Sequence, residues 1–135
     1  MCREKIMSVR RVLSVGQCMA DHARIAHFLR TTFGAEVVGA DTAGEATQKM
    51  QHEPFDLVLV NRILDADGDS GIAWIREVQA SDQLRKPAIL LVSNYEDSQV
   101  EAIAAGARPG FGKAALQSPL TITLLGEYLS PKSKV

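Results

Sequence analysis

Only two cysteines occur in the 135-residue chain, Cys2 and Cys18. At that number and spacing they form neither a disulfide framework nor a zinc site. They read as free thiols, which places the chain in a reducing cytoplasm. Charge of one sign is lacking too: 15 basic residues stand against 16 acidic ones, a net charge of −1. That balance argues against a nucleic-acid-binding or membrane-binding surface. No long apolar run exists; stretches such as Leu57 to Val60 are far short of a membrane span. The opening MCREKIMSVRR is polar and is not a secretory signal. Met7 offers a second start, which would make the first six residues an extension. Linkers, repeats and low-complexity segments are also missing. Hydrophobic residues at 46% and charged residues at 23% exclude a disordered chain and suit one domain with a continuous core. The expected division is an extension over 1–9, a domain over 10–129 and a tail over 130–135.

Short β-type runs alternate with helical patterns. The runs are Arg11 to Val15, Glu36 to Ala40, Asp56 to Val60, Ala88 to Ser93 and, weakest because of its glycines, Gly110-Phe111-Gly112. The third is apolar without interruption and therefore central, buried on both faces. Between the runs lie Asp21 to Phe33, with a stripe of Ile25, Phe28, Leu29 and Phe33 stopped by Gly34; a helix opened by the capping box Thr42-Ala43-Gly44-Glu45 and running to about Gln51; and one carrying Ile72, Ile75 and Val78. A fourth starts at Glu96-Asp97 and ends at Ala104-Ala105-Gly106. A fifth is capped by Ser118-Pro119, with Leu120, Leu124, Leu125, Tyr128 and Leu129 as its buried stripe. The alternation predicts an α/β fold: a doubly wound, five-stranded parallel sheet, flavodoxin-like, in strand order 2-1-3-4-5, with two helices on one face and three on the other.

Binding sites of such sheets lie at the carboxyl ends of the strands. Those ends are Gly16-Gln17, Asn61-Arg62, Ser93-Asn94 and Lys113. Here the chain resembles the receiver domains of response regulators, over about residues 10 to 129. Asp56 to Asn61 is similar to the strand ending in that family's phosphoacceptor aspartate. Pro87 to Ser93 is similar to the strand ending in its switch serine or threonine. Ala105-Gly106-Ala107, followed six residues later by Lys113, resembles its glycine turn and lysine. The loop after Asn61 is two residues longer than the pattern. The resemblance implies a two-component or phosphorelay signalling module of bacterial type.

The departures from the pattern are chemical. Receivers phosphorylate an aspartate with Mg2+ held by that residue and an acidic pair after the first strand. Gly16 and Gln17 stand at the pair and Asn61 at the acceptor. An amide is not a nucleophile for phosphoryl transfer, and an uncharged pocket has no strong hold on Mg2+. Ser93 and Lys113 remain. Alanine at position 114 replaces the proline that commonly follows the lysine, and Gly110 stands at the aromatic switch position with Phe111 one place off. The expectation is a pseudo-receiver: no catalysis, no metal, no cofactor, and a signalling partner or a second copy bound through the fourth helix, fifth strand and fifth helix, with Glu101 and Arg108 at the rim. Alternatives are a phosphorelay receiver with a displaced acceptor such as Asp65, or a small anion-binding or ligand-binding domain using Arg62 and Lys113.

Two further patterns carry less. Asp65-Ala66-Asp67-Gly68-Asp69 imitates the start of a calcium loop, but Ser70 and Arg76 stand where the glycine and bidentate acid belong. Those aspartates read as a solvated turn or as a counter-charge for Lys113. His22 and His27 are five apart, which is not a ligand-pair spacing.

Overall fold

The structure, a computed structural model, describes residues 9–84 and 86–130. Most of the expected extension and tail, Cys2 and Met7 included, lies outside the described residues. Five strands form one parallel sheet: β1 (Arg11–Val15), β2 (Glu36–Ala40), β3 (Leu57–Asn61), β4 (Ala88–Val92) and β5 (Arg108–Phe111). Their order is β2-β1-β3-β4-β5, as expected. Five helices alternate with them: α1 (Met19–Phe33), α2 (Ala43–His52), α3 (Gly71–Ala80), α4 (Glu96–Ala104) and α5 (Pro119–Leu129), with a short 3-10 turn at Lys113–Ala115.

The central strand explains the stability of the arrangement. Leu57, Val58, Leu59 and Val60 are fully buried, each contributing about 1.5–3 kcal/mol by leaving water. Val58 and Val60 meet Ala46, Ile75 and Ala102 beneath α2, α3 and α4. Leu57 and Leu59 meet Ile25, Leu29 and Leu125 beneath α1 and α5. Three helices on one face and two on the other follow from that alternation.

Local signals set the element ends. α1 starts two residues before Asp21 because Cys18 caps it, Sγ accepting from the Asp21 amide at 3.4 Å; cysteine is not a usual cap. Gly34 ends it at φ 67°, a left-handed position that favours glycine. The capping box forms with a variation: Thr42 Oγ1 accepts from the Glu45 amide at 3.1 Å, while the Glu45 carboxylate reaches the Asp41 amide at 2.8 Å. β3 lies one residue later than expected, since the Asp56 carboxylate instead accepts from the Arg11 amide at 2.8 Å. β5 runs Arg108–Phe111 rather than 110–112, with an irregular register against β4. It is an edge strand, where Pro109 is tolerated.

One core assignment is corrected. Leu120 is 84% exposed, and Thr121 (4%) takes the buried place. Thr121, Leu125 and Leu129 define the inner stripe. Leu120, about 100° around the helix from Thr121, falls outside it.

Candidate functional site

Asn61, Arg62, Ser93 and Lys113 converge as expected, lining a pocket of about 320 Å³ with Ile63, Val92, Asn94 and Tyr95 at the carboxyl ends of β3 and β4. Gly16 and Gln17 are not in its lining. Gly16 touches it through one bond: Asn61 Nδ2 donates to the Gly16 carbonyl at 3.0 Å. The Asp65 amide donates to the same oxygen at 3.0 Å. An aspartate at position 61 would set an ionised oxygen against that carbonyl, where the amide makes a hydrogen bond.

The loop after β3 closes over Gly16. Ile63 and Ser70 form an antiparallel bridge, and the Leu64 amide donates to the Asp69 carbonyl at 2.8 Å. Leu64 is thereby folded inward and fully buried. Gly16 has φ +74°, and a Cβ there would collide with Leu64 Cδ2 and come 3.0 Å from Leu64 Cα. Glycine at this position is thus required by its backbone and by its neighbour.

Lys113 pairs with Asp21 of α1, Nζ to Oδ2 2.9 Å, and not with the loop aspartates. The hydrogen bond from Lys113 holds the Asp21 carboxyl below its usual range, against the opposing effect of burial. Asp21 was missed from the sequence; its signal was a carboxylate in the first turn of α1, where the helix dipole favours it. In the loop, the Asp69 amide donates to Asp67 Oδ1 at 3.0 Å, a turn-forming contact. Among the described residues no group of three or more His, Cys, Asp or Glu is placed to hold a metal ion.

The other pocket groups are engaged as well. The Ser93 hydroxyl accepts from the Tyr95 amide at 3.1 Å. The Arg62 guanidinium lies 5.0 Å from the centre of the Tyr95 ring, a cation–π contact. On β5, a Cβ on Gly110 would collide with the Leu91 carbonyl oxygen. The Gln99 side chain bridges that region, its Oε1 accepting from the Gly110 amide at 3.2 Å. Phe111 belongs to the core beneath α1 and α5.

The Asp21–Lys113 pair sets a pH dependence. A carboxyl with a depressed folded-state pKa contributes stability above its unfolded value, near 3.8, and that stability is lost as pH falls through the lower, folded value. Asp21→Asn is therefore expected to cost about 0.5–1 kcal/mol at neutral pH, the scale of a half-exposed pair. The difference should shrink as the pH falls below 3.8 towards the lower, folded value. Urea unfolding of both proteins at neutral pH and below pH 3.8 checks this; an equal loss at both would refute it.

Comparison with known proteins gives the fold. No family model matches the chain, and no curated protein matches it. Solved structures do. The chemotaxis protein CheY4 of Vibrio cholerae superposes with TM-score 0.70 at 21% identity, covering 90% of this chain and 99% of that one. A putative response regulator from Chloroflexus aurantiacus gives TM-score 0.72 at 19% identity, covering 90% and 98%. A response regulator from Burkholderia pseudomallei, solved with a phosphorylated aspartic acid, a calcium ion and citrate, gives 0.68 at 21%, covering 90% and 66%. The chain therefore has the CheY-like, flavodoxin-type fold of response-regulator receiver domains.

Proposed function

We propose that residues 10–129 form a receiver-type signalling module, cytoplasmic, that has lost phosphoryl transfer and acts through protein–protein contacts. The observation that carries this reading is the Asn61 Nδ2 bond to the Gly16 carbonyl. The acceptor position is locked as a hydrogen-bond donor, the reverse of what a phosphoacceptor needs. The ion pair of Lys113 with Asp21 supports it, because the lysine is matched to a carboxylate within the chain and not to a phosphoryl group. Asp65 is a poor substitute acceptor: it lines a different cavity from that of Asn61.

The contact surface is the face of α4, β5 and α5. Val100 and Ile103 of α4 are exposed, as is Ile122 of α5. Arg108 is exposed on β5 and suits a polar rim. Glu101 belongs on the other side of α4, since it lies 3.9 Å from Arg76 of α3.

Phosphodonor labelling tests the reading, with association measured alongside by sedimentation of the full chain with and without acetyl phosphate and Mg2+. No label and an unchanged association state are expected; a donor-dependent change in association would overturn it. Mg2+ alone gives a further check. Trp74 is 1% exposed, and its Nε1 donates to Thr47 at 2.9 Å, so its fluorescence reports packing of α3 on α2. Titration to about 10 mM Mg2+, above the millimolar range of weak divalent-cation sites, is expected to give no saturable shift. A triple Asp→Asn variant at 65, 67 and 69 controls for loose binding in the loop. A saturable shift that survives in this variant would contradict the proposal.

A further inference from the structure

A second cavity, of about 420 Å³, opens on the far side of β1 from the Asn61 pocket. Its lining includes Ser14 and Gln17 from β1 and the turn after it, His22 of α1, Asp41 beyond β2, and Asp65 of the loop after β3. Gln17 is 7% exposed and Ser14 1%. Both ends of the Gln17 amide, Nε2 and Oε1, and the Ser14 hydroxyl have no hydrogen-bond partner among the described residues. Leaving such groups buried and unpaired costs about 1–3 kcal/mol each. An apolar residue would remove that cost, so a glutamine here is unexplained by folding. A ligand that supplies the missing partners explains it.

The lining specifies the ligand's chemistry. It contains Asp41, Glu45 and Asp65 but no lysine or arginine, so it favours positive charge. Glu45 is already engaged with the Asp41 amide at 2.8 Å, which leaves Asp41 and Asp65 to meet a cation. Gln17 offers an acceptor oxygen and an NH2 group with two N–H donors, so the ligand needs N–H groups beside an oxygen acceptor. A bare metal ion does not fit, because the cavity is far larger than an ion and no metal-holding group exists among the described residues. The geometry points to a small organic cation of the guanidino class, carrying a neighbouring carbonyl or hydroxyl oxygen, bound between Gln17, Asp41 and Asp65. This site stands apart from the loss of phosphoryl transfer and does not depend on it.

The test titrates the full chain with Nα-acetyl-L-argininamide, and with Nα-acetyl-L-citrullinamide as a neutral counterpart of similar shape. Calorimetry and the NMR signals of the Gln17 side-chain amide report binding. Saturable one-to-one binding below about 1 mM is expected for the first probe and not for the second. Gln17→Met should weaken it about tenfold or more, as loss of charge-assisted hydrogen bonds does. The same variant should raise the Tm, because it removes two unpaired buried groups. Asp65→Asn should weaken binding without raising the Tm, and Asp97→Asn on α4 should change nothing. Absence of saturable binding, equal binding of the neutral probe, or a Gln17→Met protein that binds normally would overturn the proposal. So would a peptide, acetyl-Gly-Arg-Gly-amide, binding much more tightly than the single residue, since the guanidinium would then come from a protein.

Discussion

Acetyl phosphate with Mg2+ is expected to leave the unmodified chain unlabelled, and Asn61→Asp alone is expected to remain orders of magnitude below an ordinary receiver. A metal ion bridging the transferring group contributes several kcal/mol to the transition state, and about 1.4 kcal/mol is tenfold in rate. Asn61→Asp supplies a nucleophile but no acidic pair. It also replaces a hydrogen bond to the Gly16 carbonyl, 3.0 Å, by two facing oxygens. The variant should lose about 1–3 kcal/mol of stability at neutral pH. It should recover part of this in acid, where the protonated carboxyl can donate again. Adding Gly16→Asp and Gln17→Asp does not mend the site. An aspartate at 16 would take a left-handed backbone, at about 1–2 kcal/mol, and collide with Leu64, at about 1–3 kcal/mol more. Shortening the loop that carries Leu64 would have to come first. Phosphoryl incorporation with Mg2+ and with chelator, and urea unfolding of each variant, are the measurements. Strong Mg2+-dependent labelling of the unmodified chain would defeat the reading, and a stable, labelled triple variant would refute the exclusion of aspartate at 16 by Leu64.

Leu64 also shows what the sequence left hidden. The strand order, helix layering and meeting of Asn61, Ser93 and Lys113 were legible because alternation and strand-end position are written in one dimension. The resemblance also puts Gly16 and Gln17, neither of them charged, where receivers carry an acidic pair. That packing requires glycine at 16 was not legible: it depends on a loop residue, Leu64, 48 positions later, turning inward to fill the space. The partner of Lys113 was hidden for the same reason. Three loop aspartates were nearer to the acceptor position in sequence, but Asp21 is brought to Lys113 by the packing of α1 beside the carboxyl end of β5. The start of α1 and the place of Leu120 were misread because capping and helix phase at a first turn are settled by one or two contacts, which periodicity does not weigh.

Gln99→Ala is expected to be the most damaging single truncation of a half-buried polar side chain. From α4 the Gln99 amide nitrogen donates to the carbonyls of Leu91, 2.9 Å, and Ser93, 3.1 Å, with a longer contact to Phe111, 3.4 Å. Its oxygen accepts from the Gly110 amide at 3.2 Å. It thus bridges β4 and β5 where their register breaks. Phe111 keeps another donor, the Ser93 amide at 3.0 Å. Alanine would therefore leave the Gly110 amide and the Leu91 and Ser93 carbonyls without this partner. At about 1–3 kcal/mol for a group left dry, reduced where water enters beside an edge strand, the total should be about 2–4 kcal/mol. Gln99→Glu separates this account from simple loss of packing. An ionised carboxylate can still accept from Gly110 but faces two carbonyls with nothing to donate, so its folded-state pKa should rise above the ordinary glutamate value near 4.3. Below the unfolded value the protonated side chain restores one donor. The variant should therefore come closest to the unmodified protein in acid and lose stability as pH rises, levelling off above the folded pKa. Urea unfolding across pH, with amide exchange at Gly110, measures both effects. A Gln99→Ala protein within about 0.5 kcal/mol of the original, the scale of an ordinary surface change, would show that the bridge is incidental and that β5 is held by Phe111 and its core neighbours instead.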